Sequence, residues 1–314
     1  MKIRRLLLCI LLLLTAVFGP NYLVPLAQRD FFAEQYRRDP PKFSGTIVLY
    51  HIVTQRTYSG SVTDWLQAQA DAYEKKHRGV HILVEGMTEP YFLQRLEYDR
   101  LPDGYSFFSG ALSEDRLQPI GLTTDGLRSG LFDTAFAVPY LYSGYALLTA
   151  GQPKIPIPQT EPIAQLTSEA RTEDCVAVAL RTLGDRLRDE QYGAAYVTKP
   201  IGTFTDAVCW LGIAHDTPEE KAEALRGFYA YLREEKQQQK LFALNAFSVL
   251  DSVRDSVAQP LETIAQVYRS VCTPDPFLWE EQHTALLADA TEAMNGSEEA
   301  RRRFAERLAG ILGN

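Results

Sequence analysis

The side chains that could do covalent or metal chemistry are present but not arranged for it. Five histidines, His51, His77, His81, His215 and His283, lack the His-Glu-x-x-His spacing of a zinc helix or any other metal-ligand spacing. No Gly-x-Ser-x-Gly elbow and no P-loop occurs. The carboxylates are many, yet no pair stands apart from solvated helix faces. The cysteines Cys9, Cys175, Cys209 and Cys272 form no Cys-x-x-Cys and no Cys/His set. The pattern therefore predicts no catalytic residues, no metal and no cofactor. The remaining chemistry is non-covalent: aromatic faces that stack on a ligand, with a few polar groups to orient it. Tyr58 and Trp65 follow a predicted first strand, and Tyr105 and Phe107 belong to a third. Open α/β sheets bind ligands outside the carboxyl ends of their strands, so residues 105–109 are one place to look. The plainer alternative at each position is core packing.

These residues need elements to hold them. The β-branched run 45–53 reads as a strand. Ser61 or Thr63 can start a helix through Trp65, Leu66 and Tyr73, with Gly79 as its stop. Residues 80–86 form a second strand, and the unit is long enough for a right-handed parallel crossover. A helix follows over 91–98, then a strand around 105–110. The apolar run 136–148 carries Pro139, which disfavours a central strand. Residues 152–162 form a proline-stiffened connection, and 175–180 is strand or helix. Residues 207–214 read as a buried strand. Thr217, Pro218 and Glu220 then spell a capping box ahead of Leu225, Phe228, Tyr229 and Leu232, which share one helix face. Further helices are expected over 260–271, 278–294 and from Ser297 onward.

The chain has 314 residues, enough for two domains, with a net charge of −8. Lys2, Arg4 and Arg5 precede the first apolar run; without those three the body stands at −11. Such a body argues against nucleic acid as a partner, because binding to phosphates needs a basic face. The apolar run 6–18 behind those bases has the form of a secretory signal and directs the rest of the chain out of the cytoplasm. Apolar character resumes at 22–27, and the stretch of about 22 residues is long enough to span a bilayer. Residues 1–27 are read as a signal peptide or an N-terminal membrane anchor, and 28–44 as a linker. Cys175, Cys209 and Cys272 would lie in an oxidising compartment that permits one disulfide.

In this order the blocks resemble the extracellular solute-binding proteins that serve ABC importers for sugars and oligosaccharides. Residues 47–84, with Trp65 and Ala72-Tyr73-Glu74-Lys75-Lys76-His77-Arg78-Gly79-Val80, are similar to the family's first strand–helix–strand. Ala137-Val138-Pro139-Tyr140 and Ser143-Gly144-Tyr145-Ala146-Leu147 resemble its crossing strand. Lys199-Pro200-Ile201-Gly202 and Leu211-Gly212-Ile213 resemble its proline-glycine loop and a glycine-containing strand. Residues 221–239 and Asn295-Gly296-Ser297-Glu298-Glu299-Ala300 resemble two of its later helices.

The resemblance implies an α/β, two-lobed, periplasmic-binding-protein-like fold of type II. Each lobe would be a mostly parallel sheet flanked by helices, joined by hinge strands that close on a solute. The first lobe would span 45–136 and 214–250, the second 137–213 and 251–314, with hinges near Val138, Ile213 and Phe247. Tyr140, Tyr142 and Ser143 sit where the family enters its cleft; Thr203 follows the proline-glycine loop and Trp210 precedes a hinge. Trp279 is expected to be structural. The implied partners are a small, sugar-like solute, an ABC permease, and the membrane through the N-terminal segment, for a monomer outside the cytoplasm. One departure stands out: only about 50 residues separate Leu148 from Lys199, far fewer than the family carries there, so the second lobe is reduced. That shortening motivates a second reading, a membrane-anchored accessory protein that contacts a partner instead of a transport ligand.

Overall fold

A computed structural model describes residues 43–53, 61–97, 101–150, 171–172, 175–179, 196–200, 204–244, 246–254, 266, 268–294 and 296–311. The predicted signal or anchor, Tyr58, Thr203 and most of the predicted 260–271 helix lie outside these residues. Among the described residues no helix is long and apolar enough to cross a membrane.

Two sheets are present. The first is six-stranded, built from β1 (Gly45–Val53), β2 (Val80–Thr88), β3 (Gly104–Phe108), β4 (Leu117–Gln118), β5 (Ala137–Tyr142) and β10 (Val208–Ala214). Strands β1, β2 and β3 are parallel, and the return strand β10 runs antiparallel to β3 and to β5. The second sheet holds β6 (Tyr145–Ala150), β7 (Arg171–Thr172), β8 (Cys175–Ala179) and β9 (Tyr196–Pro200) in the order β7-β8-β6-β9. All its pairings are antiparallel, where the sequence reading has a mostly parallel sheet. Only two residues link β7 to β8, which closes a hairpin and is far too short for a parallel crossover.

The crossing points also differ from expectation. Val138 and Ile213, read as hinges, are both fully buried inside the six-stranded sheet. The sheets exchange the chain at Ser143-Gly144, between β5 and β6, and again between β9 and β10. Pro139 is accommodated because β5 pairs only with β10, and the register shifts beside it.

The six-stranded sheet is covered on both faces at its centre, while the β2 edge leaves one face exposed. One face packs on α1 (Val62–Glu74) and α3 (Glu219–Leu232), with Trp65, Leu66, Tyr73, Leu225, Phe228 and Leu232 against Ile47, Leu49, Ile82 and Leu211. The other meets α2 (Glu89–Glu97) and the 109–136 segment through Phe92, Leu112 and Leu131. Every residue of β3, β5 and β10 is buried, which is why these strands read as continuous apolar runs. Each large side chain buried this way contributes about 1.5–3 kcal/mol of hydrophobic stabilisation.

Gly104 lets α3 approach the sheet. Tyr229, fully buried, donates its hydroxyl to the Gly212 carbonyl at 2.8 Å, and a Cβ at Gly104 would meet that hydroxyl oxygen at 2.4 Å. The start of α1 follows expectation: Ser61 Oγ accepts from the Asp64 amide at 2.9 Å. The start of α3 does not. Pro218 stands at its cap, and Thr217 instead donates its hydroxyl to the Asp103 carbonyl at 2.8 Å. The tertiary acceptor has won over the local capping box.

At the C-terminus α4 (Trp279–Met294) and α5 (Glu298–Ile311) form a pair with a small core of Trp279, Leu286, Ala290, Ala293, Ala300 and Phe304. Ser297 caps α5 by accepting from the Ala300 amide. Asp289, only 6% exposed, binds both Arg303 and Arg307 at 3.0 Å. Burial works against ionisation of Asp289, but the two guanidiniums outweigh it and hold its pKa below the ordinary value.

Candidate ligand-binding cleft

The carboxyl ends of the three parallel strands point toward one end of the six-stranded sheet. Past Phe108 the chain turns at Gly110, whose φ of 87° favours glycine, and its amide donates to Pro276 O at 2.8 Å. That turn brings the start of α4 against the strand end: a Cβ on Gly110 would lie 3.4 Å from the Glu280 amide. A cavity of about 290 Å³ results. Its walls are Phe108 to Ala111, Asp206 and Ala207 at the entry to β10, Glu89 at the start of α2, and Trp279, Glu280 and His283 of α4.

Two tryptophans set its polar groups. Trp279 is 3% exposed, flanked by Phe204 and His283, and donates its indole N–H to Asp206 Oδ2 at 3.1 Å. Trp210, fully buried, donates to Ser109 Oγ at 3.0 Å. Asp206 and Ser109 are thus aimed by neighbours packed in the core, which suits oriented recognition. Three carboxylates, Glu89, Asp206 and Glu280, face one imidazole, His283. The amino ends of α2 and α4 each add about half a positive charge. Three negative charges exceed that, so the cavity favours hydroxyl donors and cations over anions.

Most of the sequence candidates lie in the core. Trp65 on α1 is 9% exposed, stacks on Tyr140 at 6.1 Å, and has no partner for its indole N–H among the described residues. Tyr140 is fully buried with its hydroxyl 2.8 Å from Ser106 Oγ. Tyr142, also fully buried, packs on Phe247 at 5.4 Å. Phe107 is fully buried against Phe277. Ser143 is 1% exposed; its amide donates to Ala207 O, and its carbonyl accepts from Thr205 Oγ1. Tyr105, 2% exposed, opens to a different cavity at the amino end of β3. Tyr58 and Thr203 lie outside the described residues. Of the described candidates, Trp210 touches a wall of the cleft through Ser109, and Ser143 touches one through Ala207.

Sequence reasoning missed Glu89, Asp206, Glu280 and His283. The carboxylates at 89 and 280 open helices and look like ordinary dipole partners. The one available signal was the expected ligand position beyond β3, which includes Ser109.

No protein-family model matches the chain, and no curated protein sequence matches it. Solved structures do. The sugar-binding protein MalE from the phytopathogen Xanthomonas citri aligns over 86% of this chain and 98% of its own, at 14% identity and a TM-score of 0.60. The cyclic alpha-maltosyl-1,6-maltose binding protein from Arthrobacter globiformis aligns over 86% and 99%, at 13% identity and a TM-score of 0.58. An extracellular solute-binding protein from Staphylococcus aureus, solved in complex with maltose, aligns over 87% and 97%, at 11% identity and a TM-score of 0.57. At these identities the likeness establishes the fold: this chain has the two-lobed fold of the extracellular solute-binding proteins.

Proposed function

We propose that this protein is an extracytoplasmic solute-binding protein. It captures a small, hydroxyl-rich solute between its lobes and delivers it to an ABC permease, without enzymatic turnover. The N-terminal segment serves as the export signal or as an anchor on the outer face of the membrane. The observation that carries the reading is the cavity beyond the carboxyl end of β3, with Ser109 and Asp206 pre-aimed by Trp210 and Trp279. Preset acceptors lower the ordering cost of binding. The similar structures named for maltose and related sugars support a carbohydrate as the first ligand class to test.

The test is a thermal-shift screen of the full-length protein against oligosaccharides, amino acids, polyamines and phosphates. At least one neutral or cationic solute is expected to raise the Tm. His283→Ala and Glu89→Gln, at half-buried wall positions, are expected to abolish the shift while leaving the unliganded Tm unchanged. A second reading, an accessory protein without transport ligand, draws on the burial of the described aromatic candidates, which leaves few faces for stacking in the cleft. The absence of a shift with any class would favour it.

A further inference from the structure

A second cavity, of about 350 Å³, lies at the opposite end of the six-stranded sheet from the cleft. It is bounded by the chain entering β3, by Asp115 and Arg116, and by the turn that leaves β10 through His215 and Asp216. Its size is within the usual range for small-molecule sites.

The polar groups here divide into satisfied and unsatisfied. Each of the three aspartates has at least one donor. Asp103 binds Lys221 Nζ at 2.8 Å and the Val48 amide at 2.8 Å. Asp216 is 3.0 Å from His215 Nδ1. Asp115 accepts from Ser113 Oγ at 2.5 Å. Two donors have no acceptor among the described residues. The Arg116 guanidinium is exposed and makes no ion pair or hydrogen bond with any described side chain or carbonyl. Tyr105 is 98% buried, since its exposure is 2%, with its ring edge-on to Phe92 at 5.8 Å. Its hydroxyl has no hydrogen-bond partner among the described residues, although the residue lines the cavity. Burial pushes the Tyr105 phenol up to about 12, with Arg116 opposing, so it remains an O–H donor at neutral pH. A phenol held by the core at the edge of a cavity, without an acceptor, presents an O–H that a ligand oxygen can accept.

We propose that this cavity is a second ligand site, independent of the cleft, in which Arg116 and the Tyr105 hydroxyl together receive the carboxylate of a small organic acid. A planar carboxylate suits the paired donors of a guanidinium, and a neighbouring phenol O–H can bind one of its oxygens. The donors to Asp103, Asp115 and Asp216 leave their charge in place; Lys221 and Arg116 offset two of the three, so the site selects a ligand bearing one carboxylate over a multiply charged anion.

The test is isothermal titration of the full-length protein with acetate at low ionic strength, with inorganic phosphate and methylammonium as comparison probes. Saturable acetate binding is expected with a Kd of about 1 mM. Arg116→Gln is expected to weaken it about tenfold, and Tyr105→Phe, which keeps the ring and its packing, about fivefold. Circular dichroism should show both variants folded, and His283→Ala in the cleft should leave acetate binding intact. Acetate binding that is absent, or indifferent to both variants, overturns the proposal. So does a preference for methylammonium or phosphate. None of these results depends on whether the cleft binds a solute.

Discussion

The two ends of the six-stranded sheet carry cavities of similar size but opposite polar character. At the carboxyl end the open groups are acceptors, Glu89 and Glu280 beside an aimed Asp206. At the amino end they are donors, Arg116 and the Tyr105 hydroxyl. Between them, β3, β5 and β10 are closed to solvent on both faces. A sheet of this kind is a rigid spacer. It fixes the geometry of each end, while the loops beyond the strands set what each end accepts.

Changes in the shared middle should damage both ends together and have the largest effect. Gln238 is fully buried; its Nε2 donates to Tyr140 O and Leu232 O at 2.9 Å, and its Oε1 accepts from Ser248 Oγ and the Val249 amide at 3.0 Å. Gln238→Leu removes all four bonds and is expected to cost about 3 kcal/mol, read from urea unfolding. Gly104→Ala forces a methyl against Tyr229 and is expected to cost about 2 kcal/mol in the same assay. Loss of ligand binding at one cavity alone in either variant would show that the ends are not built on one core.

Acid should separate the ends. The Asp289 pKa is held below its unfolded value, so its pairing with Arg303 and Arg307 stabilises the α4–α5 pair at neutral pH. That contribution is complete above about pH 4 and fades as pH falls through the lower folded value. Amide exchange in α4 and α5 is expected to accelerate at acid pH before that in β1 to β3, and Asp289→Asn should remove this difference. The smallest effect on stability belongs to Arg116→Gln, exposed and without an ion pair among the described residues, at about 0.5 kcal/mol or less. Only the amino-end cavity should respond to it.

Much of the framework was legible in the residues, and most of the cleft was not. The 45–53 strand, the helix behind Ser61 and the buried face of Leu225, Phe228, Tyr229 and Leu232 were visible because periodicity and capping are local. The capping box at Thr217 misled because Asp103, more than a hundred residues earlier in sequence, supplies a competing acceptor. Val138 and Ile213, read as hinges, fall inside β5 and β10, which pair with each other in the larger sheet, and strand pairing between distant segments leaves no local trace. The aromatic candidates were chosen by type and position. Residue type alone does not separate Tyr140, sealed against Trp65, from a tyrosine on a cleft wall. The carboxylates of the cleft come from segments far apart in sequence, so only the fold assembles them.

The central claim, a solute held beyond the carboxyl end of β3, is tested most directly by fluorine NMR of full-length protein labelled with 5-fluorotryptophan. Of its three tryptophans, Trp65 and Trp210 face the sheet interior and Trp279 borders the cleft. Titration with the solute that gives the strongest thermal shift should move the Trp279 resonance most, with Trp210 following through Ser109 and Trp65 least. A stabilising solute that leaves Trp279 unmoved would contradict the account.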